Sequence, residues 1–448
     1  MFYAFVRSVV AFALKLFYRV EVNARPLPAE GPVIFVGNHP NALVDPALVF
    51  VITPRLVTFL AKAPLFRTPV IGWILKGLRA LPVYRKQDDP TQMSKNEGTF
   101  EAATAALVSG GAITLFPEGR SHSEPMLAEL KTGAARIAFR AAKRGAVAKI
   151  IPVGLTYEQK HRFRSRVLID IGAPIDVSDF LPRDEAQEPE QVRRLTDAIA
   201  TGLRAGTLNL AQWEDLPLIQ VAEQLYAFRL GEAAEDPERL RRFATGIQIF
   251  RAEQPERFST LREQVVSFKT RMDLVRANPE DLTVLYRRPV VCRFILRNLA
   301  SLFLGFPLFL SGMVLYALPF WIPRWLNRAL EVEWDQQATV KLVSALLLTP
   351  IWATLLTVLA WHFVSMWLGI ATIVFCLPLA VFTRYFLERW RAVLRDVQVF
   401  LTLGSRARLK ASLLVEGDRL SREIERVADE YRPRVDPAAP PVTRPVAG

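Results

Sequence analysis

Through the first 180 residues, short apolar runs at 33–36, 80–84, 112–116, 150–155 and 167–171 alternate with longer stretches of helical spacing at 46–53, 64–76, 91–109 and 127–144. Strand-like and helix-like segments in alternation predict an α/β domain. The short runs carry few polar positions, as strands do when helices cover both faces of their sheet. A Pro-containing linker at 25–32 precedes this domain, and Ala173-Pro174-Ile175 leads to its end.

The flanking patterns differ. Over residues 1–20, Arg7, Ser8, Lys15 and Arg19 fall in one arc of a helical wheel, and Phe2, Phe5, Val6, Val9, Val10, Phe12, Leu14, Leu16 and Phe17 fill the rest. That distribution predicts a helix lying in a membrane surface, with a helix of the domain core as the alternative. From 184 to 277 the chain is polar and rich in Arg, Glu and Gln, with apolar positions three and four apart, which predicts helices packed as an insertion or presented to a partner. The segments 299–322 and 342–382 are apolar enough for membrane spans, the second being long enough for two with a break around Trp361, His362 and Ser365. Arg287, Arg288, Arg293 and Arg297 precede the set and Arg384, Arg389, Arg391 and Arg395 follow it, so both flanks are expected on the cytoplasmic side. An even number of crossings is then required, and one apparent segment, with Pro307 and Pro319 marking the first, is expected to be re-entrant or a hairpin. His362 is read as capping a helix turn at the interface. The tail from Arg432, rich in proline, is expected to be disordered. The resulting division is 1–24 surface helix, 25–183 α/β domain, 184–290 helical region, 291–395 membrane region, and 396–448 basic helix and tail.

The chain has 448 residues, 51% of them apolar, and a formal net charge of +13. Such a charge suits nucleic acid, an anionic membrane surface or a phosphorylated substrate; the apolar segments favour the last two, and no nucleic-acid or zinc signature is present. Both cysteines, Cys292 and Cys376, lie in or beside apolar sequence, so a disulfide framework is not expected.

Histidine is scarce, four in the chain. His39 stands where the run 33–36 enters a Gly-Asn-His-Pro turn, with Asp45 six residues on, so a base and its orienter are delivered at a strand end. Other runs end in Leu81-Pro82-Val83-Tyr84-Arg85, in Leu115-Phe116-Pro117-Glu118-Gly119-Arg120-Ser121 followed by Lys131-Thr132-Gly133, and in Ile151-Pro152-Val153. Strand ends of one sheet converge on the edge where open α/β folds bind ligands. Arg85, Arg120 and Lys131 supply charge for a phosphate, and Gly119 lets the backbone approach it. His39 then takes the proton of an alcohol held by that clamp, while Asp45 fixes the tautomer. No serine or cysteine sits in a nucleophile elbow and no acidic cluster suggests a metal, so direct transfer is expected, with neither covalent intermediate nor metal or other cofactor.

These blocks, in this order, resemble the four motifs of the glycerophospholipid acyltransferases over roughly residues 30–175. The resemblance implies a mixed sheet flanked by helices, His39 as general base with Asp45, an acceptor-phosphate site from Arg85, Glu118, Gly119 and Arg120, and Pro152 in the acyl-donor groove. Five residues, Pro40 to Val44, separate His39 from Asp45, one more than in the common family pattern. Pro40 and Pro46 bias both away from helical geometry, so a helical wheel does not decide whether they meet. The longer spacing, the helical region and the apolar C-terminal segments resemble the fungal-type glycerol-3-phosphate and dihydroxyacetone-phosphate acyltransferases. The expected function is transfer of a fatty acyl group from acyl-CoA or acyl carrier protein to the 1-hydroxyl of either acceptor, on the cytoplasmic face of a membrane. The alternatives are a lysophosphatidate or other lysolipid acyltransferase of the same fold, and a non-catalytic lipid-binding scaffold.

Overall fold

The structure, a computed structural model, describes residues 1–23, 25–232, 234, 236–282, 288–405 and 407–435. They form two compact units, one of residues 1–209 with 325–346, the other of 210–324 with 347–448.

The first unit is built on an eight-stranded mixed sheet. Its strands are β1 (Arg19–Asn23), β2 (Val33–Gly37), β3 (Val57–Lys62), β4 (Leu81–Val83), β5 (Ala112–Leu115), β6 (Lys149–Tyr157), β7 (Arg166–Ile171) and β8 (Ile175–Asp176). They lie in the order β1-β7-β6-β2-β5-β3-β4, with β8 beside β6. Strands β6, β2, β5, β3 and β4 run parallel, and β6 pairs antiparallel with β7 and β8. Parallel neighbours require crossovers, supplied by α2 (Val44–Ile52), α3 (Pro69–Gly77), α4 (Asn96–Val108) and α5 (Gly133–Lys143). Side chains alternate across the sheet: Val33 and Phe35 enter a core with α1 (Phe2–Phe17) and α2, while Ile34 and Val36 enter another with α4, α5 and α6 (Glu188–Gly206). The parallel central strands therefore bury both faces, as their unbroken apolar runs require. They also bring Gly37, Val83 and Leu115 to the same C-terminal edge.

Several expectations change. The N-terminal segment is helical only to Phe17; Val6, Ala13, Leu14 and Phe17 are buried in the domain core and Arg7 donates to the Val51 carbonyl, while Phe5, Val9 and Phe12 stay exposed. One face is thus a core helix, and the residues after it are an edge strand, β1. Strand β3 occupies a stretch given no element above. The first unit does not stop at 183: α6 buries Val192, Leu195, Ile199 and Leu203 against the sheet. Residues 325–346 return to it as well, with Ala338 fully buried in the α1–α2 core.

The second unit is helical. Helices α7 (Asp215–Leu230), α8 (Pro237–Glu253) and α9 (Pro255–Val275) share a core with residues of α13 (Met366–Ser405) and α14 (Ala407–Val435). Helix α10 (Arg288–Leu315) runs through Pro307 without a break, and α11 (Ala317–Ala329) follows, with Pro319 in its first turn. Helix α12 (Gln337–Phe363) ends one residue past His362, and α13 starts at Met366. By length and composition, Leu296–Leu315, Gln337–Phe363 and Met366–Leu403 could each cross a membrane. Helix α14 continues through Arg432 to Val435, where disorder was expected; the rest of the tail, and the side chain of Cys292, lie outside the described residues.

Candidate active site

His39 follows β2, and its ring Nδ1 lies 2.8 Å from Asp45 Oδ2 at the start of α2. The added residue in the turn does not separate them, because the turn folds onto the carboxylate. The Asn41 N–H donates to Asp45 Oδ2 at 2.6 Å, and the Tyr157 hydroxyl donates to Oδ1 at 2.6 Å. Asp45 is fully buried, and such a carboxylate is tolerated only when hydrogen-bonded. Burial, and the Asp45 charge beside it, push the Tyr157 phenol well above its ordinary value, so it acts as a donor. With Nδ1–H given to Asp45, Nε2 keeps its lone pair, and the His39 side chain is 19% exposed. Its ring stacks on Phe116 from the end of β5, centroids 4.4 Å apart.

Glu118 is placed differently from the expectation. Its carboxylate is buried and accepts from the His39 N–H at 2.6 Å, from the Ala128 N–H at 2.8 Å and from His122 Nε2. Those donors occupy it, and a carboxylate repels phosphate, so Glu118 is a brace between the His39 turn and the loop after β5. His122 completes the brace, its N–H donating to the His39 carbonyl at 3.1 Å and its Nδ1 accepting from the Glu124 N–H at 3.1 Å.

Two of the three cations expected to hold phosphate, Arg85 and Lys131, come together at Gly119. One terminal guanidinium N–H of Arg85 reaches the Gly119 carbonyl at 3.4 Å, and its other nitrogens form a bidentate pair with Asp88, which Arg85 holds below the usual carboxylate range. Gly119 has φ +73°, where side chains are strained, and a Cβ there would come within 3.0 Å of the Lys131 chain. Arg120 is exposed and has no hydrogen-bond or ion-pair partner among the described residues. Lys62, at the end of β3, also acts electrostatically on Asp88. Without β3 in the sequence reading, that cation had no visible place.

Pro152 is the residue that the family resemblance puts in the acyl-donor groove. It is buried in β6, packed where Gly172 and Gly202 leave space for its ring. Lys160, in the β6–β7 loop, was also missed. Its ammonium donates to the Pro40 carbonyl and to Ser123 Oγ, both at 2.7 Å, stapling the His39 turn to the loop of His122. Burial pushes this amine down to about 8, against the opposing pull of Asp335 and Asp45. Behind the turn, the Leu43 N–H donates to Thr339 Oγ1 at 3.2 Å, and Lys341 Nζ donates to the His161 carbonyl at 2.7 Å. Asn38 anchors the other side, exchanging two hydrogen bonds with the Leu155 backbone of β6.

Residues 19–156 match the family model "Acyltransferase". The chain is 25% identical over 330 residues, 52% of its length, to glycerol-3-phosphate O-acyltransferase 1 of Saccharomyces cerevisiae, and spans 43% of that relative's length. It is 26% identical over 225 residues, 48% of its length, to the 1-acyl-sn-glycerol-3-phosphate acyltransferase of Streptococcus pneumoniae, of which it covers 76%. The crystal structure of the 1-acyl-sn-glycerophosphate acyltransferase PlsC from Thermotoga maritima aligns with 45% of this chain and 81% of its own at 21% identity, with a TM-score of 0.33.

Proposed function

We propose that this chain, whose residues 19–156 form a domain of the acyltransferase family, is an O-acyltransferase that moves a fatty acyl group from an acyl thioester to the 1-hydroxyl of glycerol 3-phosphate or dihydroxyacetone phosphate. The observation that carries the reading is the His39–Asp45 pair at 2.8 Å, with the second ring nitrogen left as a base at the strand edge where Arg85 and Lys131 meet at Gly119. An acceptor phosphate is held by Arg120 and Lys131, with Arg85 recruited from Asp88, and its hydroxyl faces His39 Nε2. The hydroxyl proton passes to Nε2, the alkoxide oxygen bonds to the thioester carbonyl carbon, and the C–S bond breaks as the thiolate takes the proton back from the imidazolium. Asp45 stabilises the imidazolium between these steps, and backbone donors of the His39 turn stabilise the tetrahedral oxyanion.

The likeness to the yeast glycerol-3-phosphate O-acyltransferase and the one-residue-longer His-Asp spacing favour the first acylation of the glycerol phosphate backbone over the second. The three long apolar helices and the arginines at their ends support attachment to a membrane, with the transfer site on the cytoplasmic side. The test is an acceptor panel with purified, membrane-reconstituted protein and radiolabelled acyl-CoA or acyl carrier protein. Label entering glycerol 3-phosphate or dihydroxyacetone phosphate is expected. Label entering lysophosphatidate alone would make this the second acyltransferase instead.

A further inference from the structure

Each unit, taken by itself, limits how the apolar helices can meet a bilayer. In the first, residues 325–346 pack with residues 1–209: Ala338 is fully buried in the α1–α2 core, the Leu43 N–H donates to Thr339 Oγ1 at 3.2 Å, and Lys341 Nζ donates to the His161 carbonyl at 2.7 Å. A bilayer cannot pass between bonded parts of one globular unit, because hydrocarbon does not accommodate its loops and open sheet edges. The chain is therefore on the same side at 209 and at 325. Between those points, among the described residues, only α10 is long and apolar enough to cross. It has to enter and come back, and α11 is the returning segment.

The second unit gives the matching count. Helices α8 and α9, which precede α10, share a core with α14, which follows α13; Phe250 and Phe268 belong to it with Leu413 and Leu420. An even number of crossings separates them, and α12 and α13 supply two. Their connection, Val364-Ser365, has exposed Trp361 and Trp367 on either side, as in the aromatic belt of a membrane face.

Contacts within the second unit also give the depth that α10 reaches. It runs antiparallel along α13, from Asn298, which accepts from Arg389 at 3.1 Å, to Tyr316 just past its end, whose hydroxyl donates to the Cys376 carbonyl. Gly305 and Gly312 let the two helices close up, since a Cβ at either would collide with Phe386 or Thr383. Cys376 is ten residues into α13, and Trp352, whose indole N–H donates to the Leu315 carbonyl at 2.7 Å, is eleven residues before the end of α12. At about 1.5 Å per residue, both helices put the corner at Tyr316 about 15 Å short of the 364–365 turn. That is half of an apolar core about 30 Å thick. The Trp352 bond meets the need such a position creates. Pro319 has no N–H to offer the Leu315 carbonyl four residues back, and hydrocarbon has no donor to replace it.

We propose that α10 and α11 form a re-entrant hairpin embedded in a single leaflet, on the side that carries residues 1–209, with its corner at Tyr316 near the middle of the bilayer. Its exposed Phe303, Leu304, Val314, Leu318 and Trp321 are the surface that meets the acyl chains of that leaflet. The described chain then crosses twice, at α12 and α13. This topology does not depend on how the transfer reaction is read.

The experiment uses the full chain carrying Cys292→Ser and Cys376→Ala, reconstituted in vesicles in one orientation. Single cysteines are added at the exposed positions Glu185, Glu331, Ser365 and Arg426 and treated with a maleimide that cannot pass the bilayer, before and after the vesicles are permeabilised. Glu185→Cys, Glu331→Cys and Arg426→Cys should react from one side, and Ser365→Cys only from the other. Glu331→Cys reacting on the opposite side from Glu185→Cys would mean that α10 crosses, and would overturn the proposal; so would Ser365→Cys reacting on the same side as Glu185→Cys. Depth is read from Leu318→Cys bearing a bimane fluorophore, which lipids with a nitroxide at mid-chain should quench more strongly than lipids with the nitroxide on the headgroup. Stronger quenching from the headgroup would put the corner at the membrane surface and contradict a hairpin of this depth. Val314→Cys, one turn before the corner, gives a second depth reading, so a folding defect in one variant leaves the other to decide. Thermal midpoints matching that of the parent chain show that the reactive cysteines are not exposed by unfolding.

Discussion

In the proposed reaction, proton transfer at His39 depends on which ring nitrogen carries the hydrogen, and Asp45, 2.8 Å from Nδ1, sets that by accepting from it. In Asp45→Asn, the new amide N–H faces Nδ1 and favours the tautomer with hydrogen on Nε2, where a base is needed. The variant is expected to lose about 10²–10⁴-fold in kcat with little change in KM for the acceptor, measured by steady-state acyl transfer. Lys160 gives a pH signature. Below about 8 its ammonium has three hydrogens for Pro40, Ser123 and the neighbouring His122 carbonyl; above that it has two. Activity should therefore fall as pH rises through about 8, and Lys160→Met should lack that inflection in its pH–rate profile. The stability effect has the opposite sign. With the folded amine near 8 and its ordinary value 10.5, the unfolded chain binds more protons in that window, so this group makes unfolding harder as pH rises across it. Denaturant titrations should show K160M lacking that rise. His39, Asp45 and the cations at Gly119 were legible because strand ends and charged motifs mark them. Lys160 and His122 were not, because their roles rest on contacts to a loop from another part of the chain. His122 had one usable sign, a rare histidine four residues after Glu118.

Among elements, β6 and α6 fix the edge that carries the site, and they meet at glycine. A Cβ on Gly154 would collide with the Gly206 carbonyl, and both partners are backbone that cannot swing away. Gly154→Ala should destabilise the first unit by about 1–3 kcal/mol, read as a lower thermal midpoint, and lower kcat by shifting Leu155, which anchors Asn38. The central strands were readable as unbroken apolar runs because both their faces are buried. Strand β1 was not, since Arg19-Val20-Glu21-Val22-Asn23 is an edge strand with three polar residues that continues a helical pattern. The Val57–Lys62 strand was obscured by its partly exposed positions and its place between two helical stretches.

At the level of the whole molecule, the apolar C-terminal helices announced themselves by length alone, whereas the return of residues 325–346 to the first unit rests on tertiary contacts that no local pattern encodes. Exposed apolar side chains along α10, α12 and α13 have no place in water. The protein should stay with the membrane through alkaline carbonate washing and be released by detergent; release by carbonate would contradict membrane spans. The central claim is that one histidine at the end of β2 activates the acceptor alcohol. It is tested most directly by acyl transfer from radiolabelled acyl-CoA to glycerol 3-phosphate, comparing His39→Ala with the unaltered protein at equal amounts in the same reconstituted vesicles. The expected result is a loss of about 10²–10⁴-fold in rate with an unchanged thermal midpoint; equal rates for the two proteins would contradict it.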